Sequence, residues 1–392
     1  MREIIYSTDF DVVYRFYFPR QMIKNLDIWL PDYIAQMTRN PLKAGTSAAN
    51  GSERPLHLFF CLADHFEPYW RSPTPDIALE RVMEWINQYP AIAKRHQDSD
   101  GRLPKLTLFY PEEEYDEKIF LALSEFCRKG YAEIEIHLHH DQDTSQGFRE
   151  KLLRFKKILS ERHGLLSKNK ETGEIQYGFI HGNFALDNSR ADGKWCGVNN
   201  ELDILEETGC YADFTEPSAS ETTQTAKINS IYYAIDDPKL PKSHNTGSDM
   251  ECGKLRQKGL LMMQGPLGLN WKRRKWGILP RIENSSIAAT TPIQEDRVDL
   301  WVRQGVHVKG RPDCIFIKVY THGCQESNKD YLLSNGLDRL YSILETRYND
   351  GERFILHYVS SREMFNVAKG LEEEAALPFS TMFDYRLCRL ND

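Results

Sequence analysis

From residue 56 to near the end of the chain, short apolar runs alternate with longer amphipathic stretches. The runs are 56–63, 106–110, 134–138, 177–180, 211–214, 260–263, 315–320 and 354–359. They are apolar throughout rather than at every second position, the pattern of strands buried on both faces by covering helices. Between them, Thr74-Pro75 is an N-cap with proline at the first helical position, ahead of a stripe at Ala78, Val82, Trp85 and Tyr89. Further stripes are Tyr115, Ile119, Leu123 and Phe126; Phe148, Leu152, Phe155 and Leu159; and Leu333, Leu337, Leu340 and Leu344. Glycines 130 and 164 stand where helices end. Strand–helix units in this number predict an α/β fold, a parallel (β/α) barrel of about seven or eight strands, with an open doubly wound sheet as the alternative.

Three stretches break the rhythm. Residues 1–55 read as an irregular or helical lead-in ending in a polar linker, 43–54, so that 56–392 is expected to be a single catalytic domain. Residues 216–258, rich in Ser, Thr, Asn and Asp, read as an insertion over the barrel mouth, with a hairpin around 228–235. Trp271-Lys272-Arg273-Arg274-Lys275-Trp276 reads as a solvated basic loop or, more sharply, a contact for an anionic glycan.

A net charge of −7 argues against a nucleic-acid partner. No stretch has the roughly 18 to 20 apolar residues of a membrane span, and Asp9, Asp11 and Arg15 interrupt the N-terminal apolar stretch, so no secretory signal is expected there. The eight cysteines form no Cys-x-x-Cys pair, which points to a reducing, cytoplasmic setting and to metal ligands drawn from His and Asp.

In a parallel barrel the loops after the strand C-termini converge on one face. Here the strand ends carry the chemistry: Asp64-His65-Phe66-Glu67, His137-Leu138-His139-His140-Asp141, His181-Gly182-Asn183, Asp213 with Thr215 and Glu216, and His322-Gly323. Imidazole and carboxylate are the donor set of Zn²⁺ and related divalent ions. His137 pairs with Asp141 if the strand turns into a helical loop, or with His139 if it continues extended, and Asp64 is the natural third ligand. His181 and Asn183 are placed to hydrogen-bond sugar hydroxyls, or simply to stabilise a turn. Trp70, Trp195 and Trp271 are candidate stacking platforms, while Trp301 reads as core and His57, His163 and His357 as structural.

The order of these segments resembles NodB-type polysaccharide deacetylases (carbohydrate esterase family four). Ala63-Asp64, His137 with Asp141, His181, Asp213 and Thr321-His322 stand in the places of that family's successive motifs. The resemblance implies a metal-dependent deacetylase, with zinc the expected ion, acting on an acetylated sugar of a polysaccharide or its precursor. It assigns Asp64, His137 and Asp141 to the metal, His322 to protonation of the leaving group, and Asp213 to the substrate pocket beside His181 and Asn183. Two departures go together: the family's general base falls on Ala63 and the arginine that orients it on His181. The pair of departures implies either another base, His65, Glu67 or His139, or a changed reaction. The rival readings are a glycoside hydrolase using Asp213 with Glu216 or Glu67, and a non-catalytic glycan-binding relative.

Overall fold

Each apolar run is a strand in the computed structural model, which describes residues 24–39, 55–255 and 258–390. The strands are β1 (Leu56–His65), β2 (Leu106–Pro111), β3 (Ala132–Leu138), β4 (Ser167–Asn169), β5 (Ile175–His181), β6 (Cys210–Asp213) and β7 (Ile231–Ala234). They continue with β8 (Ser248–Asp249), β9 (Leu260–Met263), β10 (Gly268–Lys275), β11 (Leu279–Glu283), β12 (Cys314–Thr321), β13 (Phe354–Tyr358) and β14 (Leu387–Arg389). The first five helices are α1 (Leu26–Arg39), α2 (Pro75–Ala93), α3 (Glu117–Arg128), α4 (Ser145–Lys157) and α5 (Glu201–Thr208). The rest are α6 (Glu295–Gln304), α7 (Glu326–Tyr331), α8 (Leu337–Tyr348), α9 (Ser361–Glu372) and α10 (Phe379–Met382). Helix α2 starts as its sequence predicts: the Thr74 side chain accepts from Ile77 N–H, Pro75 follows, and Ala78, Val82, Trp85 and Tyr89 are buried. Helix α9 begins with a capping box between Ser360 and Glu363.

Strand β1 is central. It pairs in parallel with β12 over most of its length, with β13 through its first half and with β2 at its end. Parallel order then runs through β3, β5, β6 and β9, after which β7 and β8 are added antiparallel in a twelve-stranded sheet. The expected closed barrel is corrected: the fold is mixed α/β with an open, mostly parallel sheet, plus a separate β10–β11 hairpin, and no closed barrel among the described residues. The reason lies at the two edges that closure would join. The far side of β9 is occupied by antiparallel β7. The outer side of β12 is occupied by other main chain, with Phe316 N–H donating to Val306 O, Tyr320 N–H to Ser285 O, and Ile287 N–H to Tyr320 O.

Within the expected insertion, residues 216–255 supply β7 and β8, and Thr223, Gln224, Thr225, His244 and Met250 are buried. Some of these buried polar groups satisfy one another, as where Gln224 Oε1 accepts from Ser218 and Ala219 N–H, whereas both ring nitrogens of His244 are buried without a partner. The basic run Trp271–Trp276 lies on and just beyond β10, with both tryptophans exposed. Within the expected lead-in, α1 packs Trp29 and Tyr33 against Ala219, Ile228 and Leu267. The rest of the lead-in, including the linker at 43–54, lies outside the described residues.

Side-chain alternation along the strands separates two cores. Leu58, Phe60 and Leu62, with Ile134 and Ile136 of β3 and Ile315, Ile317 and Val319 of β12, pack under the helices with Trp85, Phe120 and Leu340. Phe59, Cys61 and Ala63 pack on the other face with Phe214, Phe316 and Met364.

Candidate active-site cleft

That alternation decides which strand-end residues meet. His65 continues the Phe59–Cys61–Ala63 row, His137 the row of Glu133 and Glu135, and His322 the row of Phe316, Lys318 and Tyr320. The three imidazoles therefore gather on one face. The His65 ring centre is 5.1 Å from that of His137 and 4.6 Å from that of His322. Asp64, one residue earlier, points to the helical face instead. Its Oδ1 accepts from Gly323 N–H at 2.6 Å, while Oδ2 is buried without a partner. Burial, and to a smaller degree the charge of Glu67, raises the Asp64 carboxyl pKa to about 8.

Glu67 takes the place next to His137 that the sequence reading gave to Asp64. Glu67 Oε1 lies 3.3 Å from His137 Nε2 and 3.4 Å from His139 Nε2. The outer nitrogen of each ring is already held: His137 Nδ1–H donates to Ile180 O at 2.7 Å, and His139 Nδ1 faces Glu113 Oε1 at 2.5 Å. Both Nε2 atoms are thus turned toward one carboxylate oxygen, each ring oriented by an outer acceptor as metal-binding histidines are. Burial alone would raise the Glu67 pKa, yet its hydrogen bonds to His137 and His139 hold it well below the usual range. Burial likewise opposes protonation of His139, but Glu113 and Glu67 lift its pKa to about 10. The site is built to hold positive charge between these groups. Glu67, His137 and His139 form one set of converging donors, and His65, Glu67 and His322 another that shares the same carboxylate. Burial, then the neighbouring imidazoles, keeps His65 far below its ordinary pKa. Burial also lowers that of His322.

Glu67, His139 and His322 line a cleft of about 460 Å³ together with Trp70, Asn183 and Trp195. Arg71 stacks on Trp70 and Arg190 on Trp195, each with its guanidinium 4.1 Å from the ring centre.

Three assignments made from sequence change. The set Asp64, His137 and Asp141 does not converge among the described residues. Asp141 is exposed, and its Oδ1 accepts from Trp195 N–H at 2.6 Å, so that it anchors the cleft loop. Asp213 does not line the cleft; its carboxylate accepts from the Thr215 N–H at 2.9 Å and hydroxyl at 2.8 Å, beneath the site. His181 follows Tyr177 and Phe179 onto the helical face, into a buried cluster with His140, Cys196 and Glu201. Of the proposed polar contacts to sugar, His181, Asn183 and Asp213, only Asn183 borders the cleft, and of the proposed stacking platforms Trp70 and Trp195 border it. Glu67 was weighed as a base or as a glycosidase carboxylate but not as a ligand, and Glu113 was missed, although the acidic run 112–114 directly after β2 marks it. The described residues thus contain buried His, Glu and Cys clusters able to bind a metal, wider than the His and Asp set expected. All eight cysteines are free, and no described helix is long and apolar enough to cross a membrane. No protein-family model matches the chain, and a search of curated proteins returns no match.

Proposed function

We propose that this chain is a metal-dependent hydrolase that removes an acyl group, acetyl by preference, from a sugar of a polysaccharide or its precursor. The observation that carries the reading is the convergence of the Nε2 atoms of buried His137 and partly exposed His139 on one oxygen of Glu67, beside a cleft lined by Trp70 and Trp195. The resemblance to NodB-type deacetylases supports it in segment order, and the eight free cysteines are in keeping with a reducing, cytoplasmic compartment.

Glu67, His137 and His139 are the residues that would hold the ion, zinc being the one this donor set suits. When bound there, it supplies acidification of a water molecule and polarisation of the acyl carbonyl. The remaining steps belong to the side chains. His65 starts neutral because burial disfavours its imidazolium, so it is able to accept a proton from the attacking water. It stands two residues beyond Ala63 on the same face, which supports it as the base of a site that has no carboxylate at position 63. His322, whose ring adjoins that of His65, delivers a proton to the departing nitrogen or oxygen. Water thus divides its hydroxyl to the acyl carbon and its proton to the sugar. Trp70 and Trp195 offer ring faces to the sugar, and Asn183 an amide to its hydroxyls.

The test combines elemental analysis with acetate release from N-acetylglucosamine oligomers and a panel of acetylated glycans. Glu67→Gln is expected to lose about one ion per chain and to lower turnover at least 10²-fold, in line with loss of a metal's contribution. Equal ion content in wild type and Glu67→Gln, or no acetate from any glycan by the zinc-loaded protein, would overturn the reading.

A further inference from the structure

Apart from the residues that line the cleft, four side chains from separate segments meet: His140 after β3, His181 at the end of β5, Cys196 in the following loop and Glu201 at the start of α5. All four are buried, and their donor atoms lie within 4.8 Å of one another. His140 Nε2 is 2.8 Å from His181 Nε2 and 3.0 Å from Glu201 Oε1, which is itself 3.3 Å from His181 Nε2. Cys196 Sγ is 3.3 Å from Glu201 Oε2. We propose that these four groups are the ligands of a second, structural divalent metal ion of the zinc type.

Counting protons gives the first argument. His181 Nδ1–H donates to Gly182 O at 2.6 Å, while His140 Nδ1 is buried without a hydrogen-bond partner, 3.2 Å from Asp143 Oδ2. With the His181 proton on its outer nitrogen, its Nε2 turns a lone pair toward His140 Nε2 and toward Glu201 Oε1. One shared proton relieves one of these contacts, not all of them. A single cation at the centre relieves every one.

Charge gives the second. Two neutral imidazoles, a thiolate and a carboxylate balance a divalent ion, so the filled site is neutral and fit for full burial, whereas a lone buried carboxylate is costly. The Cys196 thiol proton leaves to solvent as the Sγ–metal bond forms.

Geometry gives the third. A tetrahedral zinc ion with bonds of about 2.0 to 2.3 Å spaces its ligand atoms by about 3.3 to 3.5 Å. The nitrogen–oxygen and sulfur–oxygen contacts already approach that spacing, and the nitrogen pair has to open by about 0.5 Å. The surroundings also suit a thiolate and a ligating carboxylate. Asn188 and Val198 N–H donate to Cys196 Sγ at 3.2 and 3.4 Å, and Asp187 N–H donates to Glu201 Oε2. Four protein ligands and no open position define a structural site rather than a catalytic one. It would pin the segment that carries Asn183, Arg190 and Trp195 into the cleft wall.

Sulfur separates this site from the cleft, whose donors are all nitrogen and oxygen. The full chain, loaded with zinc and freed of loose metal, is examined by X-ray absorption at the zinc edge. The expected spectrum contains a zinc–sulfur distance of about 2.3 Å. It keeps that feature in Glu67→Gln and loses it, with about one ion per chain, in Cys196→Ser. A wild-type spectrum with only nitrogen and oxygen neighbours, or a sulfur feature that survives Cys196→Ser, would overturn the proposal. Should Cys196→Ser fail to fold, the wild-type spectrum decides alone.

Discussion

Replacing Asp64 by asparagine tests directly whether this carboxyl is a ligand or a buried, protonated support. In the structure it accepts from Gly323 N–H through Oδ1, leaves Oδ2 unpartnered, and has a pKa raised to about 8 by burial. The unfolded chain carries an ordinary carboxyl near 3.9. Between these values the folded state holds a proton that the unfolded state has released, so this group makes stability fall as pH rises, by about 1.4 kcal/mol per pH unit. The contribution is fully present below the unfolded pKa and is lost as pH climbs through about 8. Asparagine mimics the protonated acid, keeps the acceptor for Gly323 and does not titrate. Asp64→Asn is therefore expected to gain on wild type by about 2.7 kcal/mol between pH 5 and pH 7. A chain of 392 residues has an unfolding entropy of about 0.8 kcal/mol/K, so the gain is a Tm shift of roughly 3 °C. Thermal melts of both proteins across this range, with metal content measured alongside, make the comparison. If Asp64→Asn instead loses stability as pH rises, or loses an ion, Asp64 is an ionised ligand and the placement of the site on Glu67 is wrong.

His322→Ala should retain the cleft ion while turnover drops by roughly 10²- to 10⁴-fold, the usual weight of a proton donor; loss of the ion would move His322 into the ligand set. Trp195→Ala should raise KM for acetylated oligosaccharides with kcat nearly preserved, since on the proposed reading the ring would touch the sugar and not the reacting atoms. A fall in kcat with KM unchanged would remove Trp195 from substrate binding.

What the sequence conveyed well was everything that depends on apolar runs. The strands at 56–63 and 315–320, the capped helix at Thr74-Pro75 and the clustering of chemistry at the ends of β1, β3 and β12 were all legible, because burial imposes a periodicity. The errors have a common origin in phase. A strand end tells that Asp64, His65 and Glu67 are near the site, but which of them faces it is set by the alternation along β1, and a shift of one residue reverses the answer. Asp64 and His181 fell on the helical face for that reason, and Asp141 left the ligand set because its loop turns it toward Trp195. Glu113 and Cys196 reach their clusters by contacts distant in sequence, which no local pattern announces. Barrel closure failed similarly: the pairing of β7 with β9 and the cover of β12 by residues 285–287 are long-range events.

An open sheet leaves two terminal strands whose unpaired amides and carbonyls invite another chain to add itself. Both ends are guarded here. One terminates in β8, only two residues long, Ser248–Asp249, with a charged member. The other, β12, has its outward groups occupied by residues 285–287 and Val306. Short charged margins and covered margins are the two means by which natural sheets resist edge-to-edge association. The same contacts that keep this sheet from closing on itself therefore also keep it from recruiting a neighbour, and their loss would show first as aggregation.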